Sequence, residues 1–150
     1  MSHIFKMLPL LTVVLAGCQV GMDGLAPGSV ITPTAKWSAS GTIPNAGHAI
    51  DSNPGTRAIA DGNGEFLDID LGSPCIFNYV RITHGRDNEF PPEILLYASM
   101  DGKEFQQVHK SPGTRKVTNL LIATPCLTRQ IRIKAEGVTQ EWSISDVLIR

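Results

Sequence analysis

Six short runs of this chain carry apolar side chains at the spacing of strands, and no eleven-residue window after residue 34 holds a helical period. Phe66-Leu67-Asp68-Ile69-Asp70-Leu71 and Gln130-Ile131-Arg132-Ile133-Lys134 alternate apolar and polar residues, the pattern of a sheet with one buried face. In Tyr79-Val80-Arg81-Ile82, Arg81 faces away from its apolar neighbours. Ile94-Leu95-Leu96-Tyr97-Ala98 is a more fully buried run, and the turn dipeptide Asp101-Gly102 separates it from residues 104–108. Residues 143–150 form a last strand with Ile144, Val147 and Ile149 apolar. The 14 Gly and 10 Pro supply the turns between strands. Evenly spaced strands of this kind predict an all-β sandwich or jelly roll. The 150 residues leave room for one domain, and at 42% hydrophobic they can build its core.

The first residues have a different logic. Residues 1–6 carry positive charge, and residues 7–15 (MLPLLTVVL) are continuously apolar. A spanning helix needs about 20 such residues, so residues 1–17 read as a signal peptide. The run closes on Leu15-Ala16-Gly17-Cys18, which resembles the bacterial lipobox. That resemblance implies cleavage before Cys18 and fatty acylation of the cysteine, with palmitate among the chains. Each buried CH₂ contributes about 0.8 kcal/mol, so two or three chains anchor a protein stably. Gln19 stands where an aspartate commonly retains such lipoproteins at the inner membrane. The expected location is therefore the periplasmic face of a bacterial outer membrane. Residues 18–33 are rich in Gly, Pro and small side chains and read as a flexible tether, with the domain at 34–150.

Charge and cysteines narrow the partners. With 13 basic and 14 acidic residues there is no cationic excess to neutralise phosphates, which argues against nucleic acid. Of three cysteines, Cys18 is assigned to lipid, leaving Cys75 and Cys126 as an expected disulfide in an oxidising compartment. Both sit in matching turn-cysteine-strand segments, Ser73-Pro74-Cys75 before Val80-Arg81-Ile82 and Thr124-Pro125-Cys126 before Ile131-Arg132-Ile133. Two strands entering a sandwich from one end would produce that echo. Closing so long a loop would add about 4 kcal/mol in the chain-entropy picture.

Several segments, in order, resemble the discoidin family, also called the coagulation factor V/VIII type C domain. They are Trp37-Ser38-Ala39-Ser40, residues 48–57 (HAIDSNPGTR), residues 64–72 (GEFLDIDLG), residues 93–105 (EILLYASMDGKEF), Gln130-Ile131-Arg132-Ile133 and residues 142–147 (WSISDV). The resemblance implies a discoidin-like jelly-roll β-sandwich, the galactose-binding-like fold shared with carbohydrate-binding modules. Ala58, Ser52 and Asp146 depart from the family's usual Trp, Gly and Glu.

Two loops carry chemistry. Residues 51–56 place a carboxylate, an amide, a hydroxyl and carbonyls around Pro54-Gly55. That suits a hard cation wanting six to eight oxygens, and it is also ordinary turn chemistry. The resemblance implies structural Ca²⁺ held by His48, Asp51, Asn53 and Thr56, with Ser145 and Asp146 from the last strand. The loop after Ile82 supplies His84, Arg86, Asn88 and Phe90, hydrogen-bonding groups and an aromatic that suit a sugar face, with Asn45 on a neighbouring loop. Arg86 can instead pair with Asp87 or Glu89. Trp37 and Trp142 are expected to pack rather than form a platform. No nucleophile elbow, zinc-protease, C-x-x-C or P-loop motif is present, and the same-side Asp68 and Asp70 lack a cleft, so catalysis is not expected. Two roles remain: a membrane-anchored glycan-binding module, or a subunit docking onto an envelope protein assembly such as a secretion or conjugation machine.

Overall fold

The structure, a computed structural model, describes residues 30–150. The signal peptide, Cys18 and most of the tether lie outside them. Eight strands follow in order: β1 (Ser38–Gly41), β2 (Ala58–Ala60), β3 (Phe66–Thr83), β4 (Glu93–Ser99), β5 (Gln106–Pro112), β6 (Val117–Glu136), β7 (Trp142–Ile144) and β8 (Asp146–Ile149). All pairings are antiparallel. The main sheet runs β1-β3-β6-β4-β5 with β8 also on β3, and β2 pairs with β7 in a separate ribbon. This is the all-β jelly-roll sandwich that the strand pattern predicts.

The sandwich is made by two long strands that turn a corner together. Before the corner, β3 pairs with β1 and the second half of β6. After it, β3 pairs with β8 and the first half of β6. The register breaks between Asp70 and Cys75. Gly72 sits in that break with φ 80°, and a Cβ there would lie 3.0 Å from the Lys36 carbonyl oxygen, so glycine is required by conformation and by space. The inward residues of both halves, Leu67, Ile69 and Leu71 before the corner and Phe77, Val80 and Ile82 after it, join one core. Trp142 is fully buried and Trp37 packs on the core's edge, as expected of packing residues.

On the outer face, Asp68 and Asp70 are held by arginines rather than facing a cleft. Arg132, opposite Asp68 in register, donates to its carboxylate at 2.7 and 2.8 Å. Its guanidinium lies 3.9 Å from the ring centroids of both Phe66 and Phe105, clamped between two π faces. Arg129 pairs with Asp70 at 3.2 Å.

Three expectations change. The predicted Cys75–Cys126 disulfide is absent: Cys75 is a buried free thiol. The register explains why. Cys75 stands opposite Thr128 and Cys126 opposite Phe77, so the two cysteines are diagonal neighbours. Diagonal positions lie about 7–8 Å apart, beyond the usual Cα separation of a disulfide, about 4.4–6.8 Å. The echo itself is real, since both turn-cysteine segments are the corners from which β3 and β6 rise into opposite halves. Second, residues 117–127 form a strand that the pattern did not single out. Third, the domain's contacts begin before residue 34. Thr32 donates its hydroxyl to the Leu71 carbonyl, the Trp37 indole donates to Thr32 O at 3.0 Å, and Ile31 packs on the core.

These paths give the sandwich two unlike ends. One is the corner end, with Gly72, the 99–105 turn and the entry of the chain at residues 30–37. The other is the loop end, formed by segments 42–57, 61–65, 84–92, 113–116 and 137–141.

Candidate functional site

The loop end is organised by one buried carboxylate. Glu89 is 3% exposed although it lies in the most charged loop of the chain. Arg57 reaches it at 3.4 Å and Arg86 at 3.5 Å. The Ser143 hydroxyl, from β7, donates to Glu89 Oε2, and the same hydroxyl accepts the Gly85 N–H at 2.8 Å. The Ser143 N–H donates to the Glu89 carbonyl at 3.0 Å. Gly85 must be glycine here, because a Cβ would meet Arg57 Cδ at 2.3 Å and Ser143 Oγ at 2.9 Å. The loop is thus bolted onto the β2–β7 ribbon from below, with its outer side left free.

His84 extends the network into the core and is not a sugar-facing residue. It is fully buried, with Nδ1 2.8 Å from the Ser143 carbonyl and Nε2 2.9 Å from the Thr118 hydroxyl. A carbonyl only accepts, so Nδ1 carries the proton and Nε2 accepts from Thr118. Neutral imidazole satisfies both bonds. Burial holds the His84 pKa below its ordinary value, partly offset by the Ser143 carbonyl and the Glu89 charge. The sign follows. The unfolded chain takes up a proton near pH 6.5 and the folded chain resists it, so stability is complete above that pH and declines as pH falls below it. We expect the melting temperature to drop between pH 7 and pH 5, at up to about 1.4 kcal/mol per pH unit. His84→Gln should flatten that stretch of the profile. An unchanged slope in the variant would assign the effect to other groups.

The remaining predicted binding residues fall on the open side. Arg86 is 64% exposed at its side chain while its Nε faces Glu89. Asn88 is exposed, and its carbonyl accepts from Gln140 Nε2 at 2.8 Å. Phe90 is half-buried, its ring tilted against His84 with centroids 6.4 Å apart. Asn45 is exposed at the same end, with φ 56°. Asp87 is drawn aside by Arg115 at 2.6 Å. Arg86 therefore pairs with Glu89 and keeps its outer edge available, an arrangement suited to gripping vicinal hydroxyls or a carboxylate. Arg57, Ser143 and Thr118, which hold this loop in place, were not marked as site residues by the sequence, and Glu89 was marked only as one of two candidate partners for Arg86.

The cation loop is less convergent than expected. Asp51 accepts from the Asn53 N–H at 2.9 Å and the Thr56 hydroxyl at 2.7 Å, and these bonds hold its carboxyl below the usual range. His48 Nδ1 faces the Arg57 carbonyl at 3.2 Å. Asn53, Ser145 and Asp146 line one cavity of about 340 Å³ with Thr83, whereas His48, Asp51 and Thr56 do not line it. Arg81 lies 3.9 Å from Asp146. Among the described residues no group of three or more His, Cys, Asp or Glu could hold a metal, so any cation there would draw mostly on carbonyl, amide and hydroxyl oxygens, with Asp146 the one carboxylate on the cavity.

Residues 30–148 match the F5/8 type C domain model. The chain belongs to that family. Among solved structures, the family 32 carbohydrate-binding module of C. perfringens NanJ, in complex with galactose, superposes with a TM-score of 0.69 at 22% identity, covering 81% of this chain and 97% of that one. A Clostridium perfringens family 32 module, CpGH89CBM32-5 in complex with GalNAc-β-1,3-galactose, gives 0.67 at 18% identity, over 78% and 96%. The family 32 module of AlyQ, in complex with 4,5-unsaturated mannuronic acid, gives 0.66 at 21%, over 75% and 93%. No curated protein matches the chain in sequence. The F5/8 type C domain described here accordingly shares the galactose-binding-like fold of these modules.

Proposed function

We propose that this F5/8 type C chain is a non-catalytic glycan-binding lipoprotein, anchored through acylated Cys18 to the periplasmic face of a bacterial outer membrane. The observation that carries the glycan reading is the exposed outer edge of Arg86, fixed from beneath by buried Glu89 and flanked by exposed Asn88. The solved modules of this fold were captured with galactose, a GalNAc-galactose disaccharide and an unsaturated mannuronic acid. Neutral galactosides and uronic acids are therefore the first ligands to test. The lipid reading rests on the order of charge, apolar run and Leu15-Ala16-Gly17-Cys18.

A glycan array tests the first part. The wild-type chain is expected to bind galactose- or uronate-terminated glycans, and Arg86→Ala with Asn88→Ala to lose that binding by tenfold or more, about 1.4 kcal/mol. Asn88 is exposed and contributes little to stability, whereas Arg86→Ala removes one partner of buried Glu89, which keeps Arg57 and Ser143, so the double variant should lose less stability than Glu89→Ala. Cell fractionation tests the second part. Cys18→Ser should leave the membrane fraction and lose its acyl mass. A variant still membrane-bound would refute the anchor.

Calcium belongs to the same proposal. An ion held by Asn53, Ser145 and Asp146 would pin loop 51–56 to β8, which pairs with the end of β3. A ligand binding only the folded state adds RT ln(1 + [L]/Kd) to stability. Calcium should then raise the melting temperature of the wild type and not that of Asp146→Ala. Indifference of the wild type to both calcium and EDTA would remove the site.

A further inference from the structure

Three of the four large apolar side chains exposed among the described residues lie at the corner end: Val30 (79% exposed), Met100 (48%) and Leu127 (37%). The fourth, Leu121, is on β6, six residues before Leu127. Met100 and Leu127 line a groove of about 370 Å³ with Ala98, Phe105 and Glu104. From Val117 to Thr128 the sequence has no charged residue, and the exposed positions of this half of β6 include Leu121, Ala123, Pro125 and Leu127. Among the described residues, the only strand paired with this half is β3. Edge strands are ordinarily guarded by charge, so an uncharged apolar edge running into an apolar groove marks a contact surface.

Where the chain enters says what covers it. Thr32 is fastened to the Leu71 carbonyl beside Gly72, so residue 30 leaves the domain at this same end. Residues 18–29 separate Cys18 from residue 30, and a Gly- and Pro-containing chain of that length reaches roughly 20 Å on average. We propose that the corner end, through Met100, Leu127 and the groove between them, rests on the lipid surface to which Cys18 is attached. This rests on the anchoring reading above and adds the orientation of the domain. Held within one tether length, the groove meets the headgroup layer at an effective concentration in the millimolar range, so a weak apolar contact is enough to set orientation. The charges around it, Lys36, Lys103 and Arg129 against Asp70, Asp101 and Glu104, balance in sign. The contact is therefore apolar and indifferent to the fraction of anionic lipid. From Cys75 to Thr83 the rising half of β3 is about 27 Å long at about 3.3 Å per residue. Arg86 and Asn88 would then face away from the membrane, open to glycans.

Hydroxyl-radical footprinting of the full, acylated protein on phosphatidylethanolamine–phosphatidylglycerol vesicles tests this. Met100 is the sole methionine after residue 22, so its oxidation is read without ambiguity. Oxidation of Met100 and Leu127 should fall several-fold relative to Cys18→Ser protein in solution, with Phe90 unchanged. Leu127→Glu should restore oxidation of Met100. Equal reactivity on vesicles and in solution, in protein whose mass shows the acyl chains, overturns this proposal alone. Protection that grows with protein concentration without vesicles overturns it in favour of a second copy. A chain without acyl mass overturns the anchor and this orientation together.

Discussion

Glu89→Ala should cost about 2–3 kcal/mol and loosen the loop end before the rest of the domain. Removing one partner of a buried ion pair ordinarily costs about 3–5 kcal/mol. Arg57 and Arg86 are 27% and 64% exposed at their side chains, which lets water recover part of that loss. What water does not recover is the buried hydroxyl of Ser143, which would lose its acceptor, and the path from Gly85 to β7 that runs through it. Denaturant titration gives the size, and hydrogen exchange of residues 84–92 gives the place. Glycan binding should fall with it, because Arg86 loses the carboxylate that holds it. Glu89→Gln keeps an acceptor for Ser143 and should cost less. A loss below about 0.5 kcal/mol in the alanine variant would mean that the network does not hold the loop.

The second large effect lies in the β2–β7 ribbon. Trp142 is fully buried opposite Ala60. Large-to-small truncation of a buried tryptophan costs about 3–5 kcal/mol through lost transfer energy and the cavity left behind. Trp142→Ala should therefore lower the melting temperature by more than about 10 °C. Trp142→Phe should be much milder, since the indole N–H has no hydrogen-bond partner among the described residues and its removal relieves an unpaired donor. Equal losses in the two variants would show that the indole N–H is satisfied after all.

The fold was legible where side chains alternate against a paired strand. Leu67, Ile69 and Leu71 point inward, while Asp68 and Asp70 meet Arg132 and Arg129 on the outer face. The first half of β6 was not legible, because Asn119, Ala123, Thr124 and Pro125 dilute its pattern at an edge where only one side is paired. The cysteine pair failed for a reason composition does not reveal. A register offset of two residues separates two cysteines that share a face. The site divides in the same way. Arg86 and Asn88 are exposed, as the loop position of such polar residues leads one to expect. His84 is not, although the signal was present: Val80 and Ile82 are inward, and the same period of two carries His84 inward with them. Nothing local distinguishes Glu89 from Asp87. Only its distance to Arg57 and Ser143, from segments far away in sequence, makes it the buried one.

The central claim is that the loop end binds glycan. Titrating ¹⁵N-labelled Cys18→Ser protein with galactosides and with oligouronates, while following amide chemical shifts, tests it most directly. The account predicts saturable shifts at Asn45 and at residues 84–90 and none at Met100 or Leu127, and it predicts their loss in Arg86→Ala with Asn88→Ala. Shifts centred on the corner end, or saturable shifts undiminished in the double variant, would contradict it.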